Sequence, residues 1–124
     1  MHWKNILIFL LASGLLIGSC KNGPAEHTGA QQLAYERIVA LSGGITETIF
    51  ALGQGNKIVG VDVTSTYPDA VKEIAQLGHV SKLNTEAVLG LQPDLIIAEA
   101  NDSSQVALQQ LAGAGIEVLY LESS

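Results

Sequence analysis

In Leu91-Gln92-Pro93-Asp94-Leu95-Ile96-Ile97-Ala98 a proline stops one element and an unbroken apolar run begins another. A strand with one wet face alternates apolar and polar residues. Asp94 to Ala98 does not alternate, which suits a parallel sheet covered on both faces. Working back, Asn84 caps a helix over Thr85 to Leu91, and Pro93 forces its end. Working forward, Ser103 or Ser104 caps a helix through Leu111, Gly113 and Gly115 close it, and Ile116-Glu117-Val118-Leu119-Tyr120-Leu121 is a further strand. The first half repeats the alternation. Arg37-Ile38-Val39-Ala40-Leu41 reads as a strand ending at Ser42-Gly43-Gly44, and Lys57-Ile58-Val59-Gly60-Val61 as another. Between them Ile45, Ile49 and Leu52 recur at helical spacing up to a stop at Gly53. Pro68 opens a helix over Asp69 to Ala75 from the favourable first-turn position. Four strands alternating with helices make an α/β fold, a parallel sheet flanked by helices, whose ligands bind at the carboxyl ends of the strands. Those ends are Ser42-Gly43-Gly44, Asp62 to Tyr67 and Glu99 to Ser103.

The chain has 124 residues and a formal charge of −6, enough for one modest domain and a poor match to a phosphate backbone, so no nucleic acid partner is expected. Its single cysteine, Cys20, excludes an internal disulfide and a four-thiolate zinc site.

Residues 1–19 read as an address. Lys4 precedes the apolar run Ile6 to Ala12, and Ser13-Gly14 interrupts that run before Leu15, so the segment suits a secretory leader better than a membrane span. Leu16-Ile17-Gly18-Ser19-Cys20 resembles a bacterial lipobox, in which the thiol is acylated and the leader is cut before it. Residues 20–35, with Gly23-Pro24, Gly29 and Gln31-Gln32, read as a flexible tether, and 36–124 as the folded domain. The expected location is exported, anchored to a membrane by the lipid, facing the periplasm or the extracellular side.

Three places could carry chemistry. Ser42, Gly43 and Gly44 stand between a strand and a helix start, where backbone N–H groups can hold an anion, but the spacing and lysine of a nucleotide loop are missing, and a tight capped turn explains them as well. Asp62-Val63-Thr64-Ser65-Thr66-Tyr67-Pro68 puts a phenol at the rim of the expected cleft, where packing and ligand roles are both open. Glu86 lies in the first turn of its helix, a position that the macrodipole favours whatever the function. His27 and His79 have no partner at metal-ligand spacing, and no nucleophile and base can be paired, so an enzyme is not expected, nor a catalytic cofactor.

Taken together, Arg37 to Ser42 with Thr46-Glu47, Ile58-Val59-Gly60-Val61-Asp62, Tyr67-Pro68, Gly78 with Glu86, and Leu91-Gln92-Pro93-Asp94-Leu95-Ile96 resemble the N-terminal lobe of the periplasmic binding proteins that serve ABC importers of haem, cobalamin and ferric siderophores. The resemblance covers about residues 36 to 121. Val61 to Pro68 looks most like the haem-binding branch, which implies that Tyr67 is a ligand to haem iron, with Ser42, Gly43, Gly44 and Thr66 in the cleft loops. No Arg sits beside Tyr67, so the charge that would ionise the phenol is left to the ferric iron itself, to Lys72 one turn on, or to a residue of the second lobe. The resemblance also implies that Glu86 docks onto arginines of the permease. Gly78-His79-Val80-Ser81 departs from the Gly-Tyr-x-Arg often found in that branch, so cobalamin and ferric siderophores stay open as ligands. Members of the family have two lobes joined by a long helix. Because this chain stops at Glu122-Ser123-Ser124, the expectation is a truncated product with the second lobe absent and apolar patches left uncovered.

Overall fold

The structure, a computed structural model, describes residues 34–100 and 103–122. The leader, Cys20, His27, most of the tether and Asn101-Asp102 lie outside the described residues.

Five parallel strands form one sheet in the order β3-β2-β1-β4-β5: β1 Ile38–Leu41, β2 Ile58–Val61, β3 Ala75–Gln76, β4 Leu95–Glu99 and β5 Glu117–Leu121. Three helices, α1 Gly43–Ala51, α2 Thr85–Gly90 and α3 Gln105–Gly113, supply the flanking layers. The α/β expectation therefore holds. β1 is central and all four of its residues are buried. Because successive strand residues point to opposite faces, Ile38 and Ala40 join Ile45 and Ile49 of α1 in one core, while Val39 and Leu41 join Val88 of α2 and Leu108 and Leu111 of α3 in the other. Two buried layers are what the unbroken run at 95–98 requires.

Two polar devices pin the amino edge of the sheet. Asp94 accepts the backbone N–H groups of Glu36 (2.8 Å) and Arg37 (3.0 Å) on its two carboxylate oxygens, which ties β4 to the start of β1. The Arg37 guanidinium donates to the carbonyls of Leu91 (2.7 Å from Nη2) and Gln92 (3.2 Å from Nε). A cation on the last carbonyls of α2 satisfies orphan acceptors and complements the helix dipole.

Three expectations need correction. The segment after Pro68 is a short 3₁₀ turn, Asp69–Glu73, and not a helix to Ala75; Pro68 precedes the turn in extended conformation, with the Tyr67–Pro68 peptide cis. Ala75–Gln76 then forms a fifth strand, pairing with Gly60 and Val61. Pairing at the open edge of β2 outweighs local helical preference here, and the Gln76 amide assists by donating to the Val71 carbonyl at 3.3 Å. The sheet therefore has five strands where four were expected. Finally, Leu52 is not on the buried stripe: α1 ends at Ala51, Gly53 takes φ +73 as a helix-stopping glycine does, and Leu52 is 70% exposed. It borders a groove of about 660 Å³ floored by Ile97, Leu119 and Leu121 beside α1, so apolar surface does lie open among the described residues.

Candidate functional site

The chain builds outward from β1 to β2 and β3 on one side, then returns to add β4 and β5 on the other. The strand order thus reverses between β1 and β4, where open α/β sheets place their ligands. A polar cleft of about 210 Å³ opens there, lined by Ser42 after β1, Asp62 and Thr64 after β2, Glu99 at the end of β4, and His79, Ser81 and Ser103. Ser42 Oγ donates to Glu99 Oε1 at 2.6 Å and so joins the carboxyl ends of β1 and β4 across the reversal.

The loop after β2 is held by a buried carboxylate. Asp62 is 2% exposed; its Oδ2 accepts the Thr64 hydroxyl at 2.7 Å and its Oδ1 accepts the Ser65 hydroxyl at 2.9 Å. Each hydroxyl has one proton, so what else meets these oxygens must donate. Thr64 Oγ1 receives the Gly43 N–H at 2.9 Å, and Ser65 Oγ, 2.8 Å from Thr46 Oγ1, receives the Thr46 proton. Gly43 fits this arrangement because it is glycine: a Cβ there would stand 2.7 Å from the Thr64 carbonyl oxygen. The loop is tied on its other side by Val63 N–H donating to the Gly78 carbonyl at 2.8 Å.

The predicted site residues are thereby sorted. Ser42 and Gly43 belong to the polar cleft and its support, where the Gly43 N–H, the first amide of α1, is engaged by the Thr64 hydroxyl. Gly44 faces the apolar groove beside α1. Thr66 lines a neighbouring hollow of about 330 Å³ with Val63, Val71 and Lys72. Tyr67, on the loop that follows β2, is 66% exposed. Lys72 is paired with Asp69, Nζ to Oδ1 2.8 Å, in an exposed bridge. Glu86 is exposed in the first turn of α2, beneath an Asn84 side chain that accepts the Glu86 and Ala87 N–H groups at 3.0 and 3.2 Å, as the cap reading anticipates. Arg37 holds the other end of α2 at the amino edge of the sheet, so the turn carrying Glu86 points away from that edge.

Sequence reasoning passed over Asp62, Thr46 and Ser65. The signal was present: an aspartate with hydroxyls two and three residues on is a turn that closes on itself. It also left His79 unassigned. His79 Nδ1 lies 2.9 Å from Ser81 Oγ and accepts the Ser81 N–H at 3.4 Å, which fixes the ring at the cleft wall.

A family model described as periplasmic binding protein matches residues 38–124. The chain belongs to the periplasmic binding protein family. Among relatives of this family, a vitamin B12-binding protein of Yersinia pestis (strain Pestoides F) is 39% identical over 109 residues, covering 88% of this chain and 36% of the relative. A periplasmic heme binding protein from Pseudomonas aeruginosa superposes with TM-score 0.68 at 38% identity, over 72% of this chain and 32% of that one. A periplasmic vitamin B12 binding protein of Vibrio cholerae superposes with TM-score 0.62 at 34% identity, over 73% and 34%. The chain thus spans about a third of the length of these periplasmic binding proteins.

Proposed function

We propose that this chain is the N-terminal lobe of the solute-binding component of an ABC importer, with haem as the cargo, Tyr67 as its iron ligand and no catalytic cofactor. The observation that carries the reading is Tyr67 itself: a large aromatic ring left mostly in solvent at the carboxyl edge of the sheet, on a loop that a buried carboxylate holds. A phenolate is a hard anionic ligand suited to ferric iron, and Tyr is one of the axial ligands haem proteins use. Ser42, Gly43, Gly44 and Thr66 belong to the loops beside the bound cargo. A second reading, cobalamin as cargo, is favoured by the 39% identity to a vitamin B12-binding protein. Titration with ferric haem and with cobalamin, followed in the visible range, separates the two. A tyrosinate-type charge-transfer band with haem supports the first reading; saturable cobalamin binding with no haem band overturns it.

The remaining parts of the proposal concern delivery. Residues 1–19 are a leader, Cys20 is acylated, and 20–35 tether the domain to a membrane on the periplasmic or extracellular side. Cys20→Ser is expected to move the protein from the membrane to the soluble fraction or to leave it unprocessed; a mature N-terminus other than Cys20 in the unaltered protein counts against the anchor. Glu86 docks on the permease. Charges at a docking rim act by complementarity and not through the cargo, so Glu86→Ala in the intact importer should lower uptake severalfold while cargo affinity stays within about twofold. An affinity loss as large as the uptake loss would return Glu86 to a folding role.

A further inference from the structure

We infer that Asp62 and Thr64 form a latch that positions Tyr67 for its ligand, an inference that rests on the reading of Tyr67 as the cargo-binding residue. Two hydroxyl relays converge on the Asp62 carboxylate: Gly43 N–H to Thr64 to Oδ2, and Thr46 to Ser65 to Oδ1. Both begin on α1 and both end on the residue after β2, so they clamp the 62–67 loop against the first turn of the helix. Every proton in the relays is committed and points one way, toward a buried carboxylate that only accepts. The Gly78 carbonyl holds Val63 from the opposite side.

Tyr67 lies two residues beyond Ser65, and its ring, mostly in solvent, gains little from packing. Its position is therefore set by the backbone that the latch fixes. Holding a ligating group in place before the ligand arrives lowers the ordering cost of binding. Asp62 and Thr64 are thus positioning residues: they act through Tyr67.

Thr64 is exposed, so Thr64→Val keeps the shape of the side chain, removes the bridging hydroxyl and leaves the core alone, while Thr64→Ser restores the hydroxyl. In ferric haem titrations of the full chain, Thr64→Val should weaken affinity about 10- to 100-fold, the usual worth of a hydrogen bond to a charged group, and Asp62→Asn should act in the same direction. The tyrosinate charge-transfer band should persist at saturating haem, because the ligand atom is still there, and Thr64→Ser should recover most of the affinity. Amide hydrogen exchange without ligand provides an independent readout. Exchange at Gly43, whose N–H is held by the Thr64 hydroxyl, and at Ser65, whose N–H is held by the Asp62 carbonyl, should quicken in Thr64→Val and return toward the original rate in Thr64→Ser, with β1 and β4 still protected. Unchanged exchange in Thr64→Val overturns the latch, and quickened exchange with unchanged haem affinity overturns its positioning role. If the unaltered chain gives no Tyr67-dependent haem signal, the haem reading fails; the latch then stands or falls on exchange and its rescue by Thr64→Ser.

Discussion

Tyr67→Phe is expected to abolish the charge-transfer band of bound ferric haem and to lower haem affinity by at least about two orders of magnitude, since it deletes a metal ligand and nothing else. The ring is kept and is mostly solvent-exposed, so the change should leave thermal stability almost untouched. Lys72, one turn on from Tyr67, is bridged to Asp69 in an exposed pair of the kind that contributes little and exchanges readily, so it can be shared with a bound anionic group at small cost. Tyr67→Phe with unchanged affinity and unchanged spectrum would remove Tyr67 from the site and leave cobalamin as the better cargo.

How far the amino-acid sequence discloses this fold differs by element. Apolar runs and punctuating glycines locate β1, β2, β4 and β5, and the Asn84 cap and Gly53 stop place two helix ends, because in these segments local preference and tertiary burial agree. From Pro68 to Gln76 they disagree. The local pattern there permits a helix, but β2 has an open edge, and the long-range pairing of Gly60 with Ala75 outweighs the local choice. The site is legible at the level of loops, since carboxyl ends follow from strand order, and Tyr67 is visible as an aromatic with no strand to occupy. The latch is not, because a sequence can show that Asp62 is able to bind nearby hydroxyls but not that the amide of Gly43 will complete the relay from 21 residues away.

The other large effect is on stability. Leu108 of α3 is completely buried, in contact with the layer formed by β1, β4 and α2, and Leu108→Ala would leave a cavity that these neighbours can only partly refill. Such changes cost about 2–5 kcal/mol. A small domain holds only about 5–15 kcal/mol in total, so the variant should lose a large fraction of its stability, visible as a lower urea midpoint with an unchanged slope. Val106, on the same helix, is the control. It is 71% exposed, and replacing a β-branched residue by alanine on a helix surface slightly favours the helix, so Val106→Ala should shift stability by no more than about 0.5 kcal/mol, toward the folded state if at all. Equal losses in the two variants would mean that α3 does not pack on the sheet as described. Near-neutral behaviour in Leu108→Ala would mean that this layer collapses around the gap, and the face of the sheet opposite α1 would then contribute much less to folding than its complete burial implies.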